Sequence, residues 1–164
     1  VIVCVFTHIV RAVYEVLKHK KIIEASKLSF VIIFINMAVL WISWFTLCSA
    51  DVYKINLPAF VRYIGIAITI AGAGLFFTAL FTIKTLETYS GDLITKGIYS
   101  KVRHPMYLGF ICWLIGAPSF YGAAISFALA VLFIANVLFW RYLEEVELEK
   151  RFAGYKEYKV KTVF

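Results

Sequence analysis

Apolar residues run through this chain in long uncharged stretches rather than in the alternating or one-faced patterns of a soluble fold. Residues 28–50 carry no formal charge. A helix of that length covers the roughly 30 Å hydrocarbon core of a bilayer. A second uncharged run covers 63–83, with Pro58 placed to start its helix and Arg62 able to extend its charged head to the interface. A third run, 105–140, is too long for one ordinary span. Its middle, Gly116-Ala117-Pro118-Ser119-Phe120-Tyr121-Gly122, has turn chemistry, so it predicts a helical hairpin with a short first arm. Residues 1–17 are apolar but hold His8, Arg11 and Glu15, and they predict a further span in which Arg11 and Glu15, four apart, share one helix face. The chain begins with Val1, which suggests that a preceding piece of this helix is missing.

These runs predict an all-α, polytopic transmembrane bundle of about five helices, ending in the hairpin. No repeat or linker divides the chain, so 1–164 reads as a single membrane domain. Within it, 1–83 would supply the N-terminal helices and 84–164 the region that carries chemistry.

Composition agrees: 62% of residues are hydrophobic and 16% charged, against roughly a quarter charged in a soluble domain. The 17 Lys and Arg exceed the 10 Asp and Glu, but in a membrane chain this excess follows from orientation and anionic headgroups, and nucleic acid is not an expected partner. Lys18, Lys20, Lys21 and Lys27 follow the first span. Lys84, Lys96, Lys101 and Arg103 precede the hairpin, and Arg141, Lys150, Arg151, Lys156, Lys159 and Lys161 follow it. The connection at 51–57 has only Lys54 and the hairpin turn has no cation, so the basic segments are expected in the cytoplasm. Cys4, Cys48 and Cys112 lie singly in apolar runs, without zinc or disulfide spacing.

Reactive side chains collect in two of the basic segments, 84–107 and 141–158, which the hairpin would bring together at the cytoplasmic end. A polar pocket there would open to water for a soluble cofactor and to lipid for an apolar substrate. Pro105 can take the first position of a helix, leaving backbone N–H groups that attract an anion near Arg103, His104 and Tyr107. On this segment alone, an interfacial basic cap is the plainer explanation. Glu144 and Glu145 sit at the end of a long apolar helix, where a carboxylate can grip ribose hydroxyls or an ammonium, or simply pair with Arg141. Glu147 and Glu149 read as a solvated helix extension. Gly72-Ala73-Gly74 lies inside an apolar helix, so close helix packing is its default role, with close approach of a cofactor as the narrower alternative.

The ordered series Asp92-Leu93-Ile94-Thr95-Lys96-Gly97-Ile98-Tyr99, then Arg103-His104-Pro105-Met106-Tyr107-Leu108-Gly109, then Glu144-Glu145, Leu148, Phe152 and Tyr155 to Tyr158, resembles the isoprenylcysteine carboxyl methyltransferase and phospholipid methyltransferase superfamily. The likeness covers roughly the last 75 residues, and its specificity lies in the order of the elements. It implies a helical site at the cytoplasmic helix ends that binds S-adenosylmethionine and methylates an acceptor delivered from the bilayer. Asp92, Leu93, Ile94, Tyr99, Arg103, His104, Pro105, Met106 and Tyr107 would then line the cofactor, with Glu144 and Glu145 completing the pocket. Arg141 and Glu144 would act on the acceptor. The resemblance favours carboxyl O-methylation of an isoprenylcysteine-type acceptor, with N-methylation of phosphatidylethanolamine as the alternative. An NADPH-dependent reductase related to the sterol reductases, and a small non-catalytic membrane subunit, are the rival classes.

Overall fold

A computed structural model of the chain describes residues 1–23, 26–83 and 92–164. Its described residues form six α-helices: α1 (Ile2–His19), α2 (Lys27–Ala50), α3 (Ala59–Ile83), α4 (Pro105–Tyr121), α5 (Ala124–Arg151) and α6 (Tyr155–Lys161). A single 3₁₀ turn, Gly97–Ser100, precedes α4. The first five are the helices of the expected bundle. By length and composition, three of the described helices can cross a membrane, with spans at Val31–Ala50, Ala59–Ile83 and Ala124–Arg151. The 17 residues of α4 rise about 26 Å, a little short of a hydrocarbon core. Phe34, Ile42, Ile70, Phe81, Val131 and Leu132 stand exposed on outer faces, which suits contact with lipid rather than water.

Local chemistry sets the helix boundaries. Ser26 and Ser29 form a reciprocal cap at the start of α2: the Ser29 N–H donates to Ser26 Oγ at 3.1 Å, and the Ser26 N–H to Ser29 Oγ at 2.7 Å. Pro105 opens α4, where its missing N–H leaves no gap. The hairpin turn is narrower than its sequence suggests, because Gly116, Ala117, Pro118 and Ser119 all continue α4 to Tyr121. Only Gly122, in the left-handed region at φ 61°, ends the helix, and its N–H and that of Ala123 both return to the Pro118 carbonyl. Pro118 is tolerated one turn from that end, where little helix remains to disrupt.

Gly116 stays helical because α3 and α4 are zipped together through glycines. A Cβ on Gly65 would lie 2.8 Å from the Gly116 carbonyl oxygen, and a Cβ on Gly109 would lie 2.6 Å from that of Gly72. Seven residues separate the glycines on each helix, so two antiparallel pairs meet along one seam. Gly72 is therefore a packing residue, whereas a Cβ on Gly74 would meet nothing within 4 Å.

The core lies between α2, α4 and α5, where Leu40, Trp44, Cys48, Trp113, Leu114, Phe133, Val137 and Trp140 are buried. Trp44 Nε1 donates to the Trp113 carbonyl at 3.3 Å, and Trp113 Nε1 to the Thr69 carbonyl at 3.0 Å, tying three helices at mid-depth. At the end away from the basic segments, Asp51 accepts from the Ser126 N–H at 2.9 Å, Ser126 Oγ at 3.1 Å and the Tyr53 N–H at 3.0 Å. Asp51 thereby caps α5, whose own N-cap, Ala123, has no side-chain acceptor. Arg62 is tied to the hairpin here as well, with its Nε donating to the Phe120 carbonyl at 2.9 Å.

Candidate functional site

The turn at Gly122 and Ala123 sends α5 back alongside α4, so Glu144 and Glu145 arrive opposite Arg103 and His104. The two segments expected to meet do meet, although Lys84 and residues 85–91 of the first lie outside the described residues. His104 stands immediately before Pro105 with its ring between the two carboxylates: Nδ1 is 3.5 Å from Glu144 and Nε2 is 3.4 Å from Glu145. Burial disfavours its charged form, but both carboxylates outweigh that cost and raise its pKa above the ordinary histidine value. When protonated, the ring can donate from both nitrogens, which matches an acceptor on each side.

Adjacent glutamates on one helix point to different neighbours. Glu145 is buried against the C-terminal segment, within 3.4 Å of Arg141 Nη2, 3.3 Å of Arg103 Nε and 3.0 Å of Lys159 Nζ. Arg103 extends the same network, donating from Nη1 to the carbonyls of Thr162 at 2.6 Å and Lys159 at 2.8 Å. Residues 101–104 and 162–164 are laced by backbone bonds, from Arg103 N–H to the Val163 carbonyl and from Val163 N–H to that of Lys101. Lys159, held between Glu145 and Glu149, has its pKa raised by those two hydrogen bonds. Glu145 thus anchors the tail to the site.

Glu144 instead lines a cavity of about 330 Å³. The polar end of the cavity is formed by Glu144, Tyr99, Arg103, His104, Tyr107 and Arg11. Its far wall is apolar: Ile33, Met37 and Trp41 from α2, Phe76, Phe77 and Leu80 from α3, and Met106 and Phe110 from α4. Tyr107 hydrogen-bonds Glu144, and Tyr158 holds the Tyr99 backbone by donating to its carbonyl at 2.6 Å. The Tyr99 side chain is buried, and its hydroxyl has no hydrogen-bond partner among the described residues. Burial and the nearby Glu144 carboxylate both push its pKa up, so it stays a neutral donor.

Of the residues singled out in the sequence, Tyr99, Arg103, His104, Met106, Tyr107 and Glu144 face this cavity. Pro105 is buried behind it as the helix start, and Glu145 and Arg141 lie on the tail side. Arg141 is covered by the Phe164 ring, 4.5 Å from its guanidinium carbon. Asp92 is exposed, and neither it nor Leu93 and Ile94, both half-buried, is among the described lining residues. Sequence reasoning passed over two contributors. Arg11 joins the cavity while paired with Glu15 as expected, and a cation inside an apolar helix is a signal in its own right. The aromatic wall carried no signal, because in an apolar helix a cavity-facing Phe reads the same as a lipid-facing one. Among the described residues, no His, Cys, Asp and Glu cluster can hold a metal ion.

Comparison with known proteins places this site in a family context. The phospholipid methyltransferase family profile matches residues 60–154, from the start of α3 to the loop before α6. A protein-S-isoprenylcysteine O-methyltransferase of Schizosaccharomyces pombe is 34% identical over 77 residues, covering 43% of this chain and 30% of the relative. The corresponding B protein of Arabidopsis thaliana is 37% identical over 73 residues, covering 44% and 34%. That of Saccharomyces cerevisiae is 33% identical over 87 residues, covering 49% and 34%. Each match thus spans about a third of the relative's own length. No solved structure matches the chain significantly.

Proposed function

Because this chain belongs to the phospholipid methyltransferase family, we propose that it transfers a methyl group from S-adenosylmethionine to an acceptor held in the bilayer, with an isoprenylcysteine-type carboxylate favoured. The observation that carries this reading is that one cavity has both a charged end and an aromatic end. Its volume of about 330 Å³ is at the lower end of the roughly 300–1,000 Å³ typical of small-molecule sites.

The residues present fit the methyl donor. Glu144 can accept from ribose hydroxyls or an α-ammonium, and the Tyr99 hydroxyl, which has no hydrogen-bond partner among the described residues, can donate to the carboxylate of the methyl donor. The faces of Trp41, Phe76 and Phe110 suit a sulfonium cation. When bound, the donor supplies an activated methyl on positively charged sulfur. The protein has to orient the acceptor in line with that methyl and keep water away. A carboxylate acceptor is already ionised, so no side chain has to remove a proton from it. His104, clamped by Glu144 and Glu145, fixes Glu144 toward the cavity.

Helices α2 and α3 flank α4 without packing closely against one another, and Phe34 and Phe77, both about half exposed, edge the cavity between them. This gap suits sideways entry of a lipid-borne acceptor. The basic segments at 18–27 and 96–103 support a reading in which the polar end of the cavity faces the cytoplasm, where a soluble donor is available.

Calorimetric titration of the purified chain in detergent with S-adenosylhomocysteine tests the reading. Saturable binding is expected, weakened about tenfold or more in Glu144→Gln, which loses a charge-assisted hydrogen bond. Radiolabelled methyl transfer to N-acetyl-S-farnesylcysteine should exceed transfer to phosphatidylethanolamine vesicles. The opposite preference would reassign the acceptor to an amine, and no binding by folded protein would sink the methyltransferase reading.

A further inference from the structure

The family profile begins at residue 60, yet a charged residue of the cavity comes from α1, far upstream of it. We infer that Arg11 is the carboxylate-binding residue of this cavity, the role that the resemblance alone would give to Arg141. Arg141 does not line the cavity: its guanidinium bonds Glu145 at 3.4 Å and lies beneath the Phe164 ring. The Arg11 side chain is only 12% exposed, and it lines the same space as Glu144. Its guanidinium sits over the Tyr14 and Trp140 rings, at 5.6 and 5.7 Å, which fixes its plane.

Glu15 pairs with Arg11 through Nη2 and keeps the cation in place within an apolar helix. A planar guanidinium has five donors, enough to engage a carboxylate on more than one edge. A further donor at the polar end calls for an acceptor: the Tyr99 hydroxyl, in a residue 6% exposed, is buried with no hydrogen-bond partner among the described residues. A ligand carboxylate is the group that such a lining recognises. It can belong to the amino-acid end of the methyl donor or to the acceptor itself. In the second case Arg11 would also sort substrate from product, since methylation turns the carboxylate into a neutral ester. Binding of this kind lowers KM without raising kcat, because the carboxylate loses charge on the way to the transition state.

The inference rests on the methyltransferase reading only for its choice of probes. Wild-type chain, Arg11→Gln, Arg11→Lys and Arg141→Gln are titrated in detergent with S-adenosylhomocysteine and its carboxamide, and with N-acetyl-S-farnesylcysteine and its carboxamide. For one acid the wild type should bind roughly 10- to 100-fold tighter than its amide, as expected for a buried charge-assisted contact. Arg11→Gln should erase that preference, Arg11→Lys should keep part of it, and Arg141→Gln should keep most of it. The acid affected identifies whether donor or acceptor supplies the carboxylate. Thermal melts followed by tryptophan fluorescence report folding, and Arg11→Lys carries the test if Arg11→Gln does not fold. Wild type that binds neither acid, or binds acid and amide alike, overturns the inference, as does a preference that survives in Arg11→Gln. Absence of methyl transfer alongside an Arg11-dependent acid preference would refute the methyltransferase reading and leave this assignment standing.

Discussion

Each end of the bundle buries carboxylates, but to different effect. At the end away from the basic segments, Asp51 is satisfied by the chain itself, through Ser126 and the Tyr53 N–H. Burial opposes its charge, yet these hydrogen bonds prevail and lower its pKa. At the basic end, Glu145 is likewise enclosed, by Arg103, Arg141 and Lys159. Its neighbour Glu144 is held by His104 and Tyr107 and still borders the cavity. Burial alone therefore does not mark a functional carboxylate. What separates Glu144 from Asp51 is a face left toward a space that a ligand can fill.

The largest expected effect would break the comparison by removing the frame both ends share. In Gly109→Val the new side chain would meet the Gly72 carbonyl, which no rotamer change relieves, so destabilisation at or above the roughly 1–3 kcal/mol of ordinary overpacking is expected. Gly74→Ala, where a Cβ meets nothing, should leave the melting temperature unchanged or slightly raised. Equal behaviour of the two variants in thermal melts would show that the glycine seam does not hold α3 to α4.

A crossed pair sharpens the contrast. Asp51→Ala strands the Ser126 donors and should cost about 1–3 kcal/mol while leaving S-adenosylhomocysteine affinity within twofold. Glu144→Gln should reverse that pattern, with stability nearly kept and affinity reduced. The comparison fails if both variants lose stability and affinity together.

The smallest effect is on pH. His104 has a raised pKa in the folded chain, so its contribution is fully present below its ordinary value of 6.5 and is lost as pH rises through the folded value. Melting temperature should fall by a few degrees across that window, and His104→Gln should flatten the profile. A profile of unchanged slope in that variant would assign the transition to another group.

Apolar run length was enough to predict the helices, because a bilayer demands long uncharged segments and the chain supplies them. The Arg11–Glu15 pair was legible for a related reason, since helical spacing alone puts residues four apart on one face. The meeting of Arg103 and His104 with the Glu144 region was also readable, because a hairpin between two segments returns one to the other. Where the hairpin turned was not, since Gly116 and Pro118 look like turn residues until α3 is packed against them. Residue chemistry by itself did not tell Glu144 from Glu145, although the resemblance gave only Glu144 a role on the acceptor. Neighbouring residues on a helix point about 100° apart, and only the placement of α6 and the tail decides which one is enclosed. The same holds for the two arginines: Arg141 sits one helical turn before Glu144 and Glu145 but faces the tail, while Arg11, outside the matched region, is carried to the cavity by α1 packing on α2 and α5. Chain chemistry determined which groups exist and roughly at what depth. Helix rotation and packing, which depend on contacts far apart in sequence, determined which of them share a cavity.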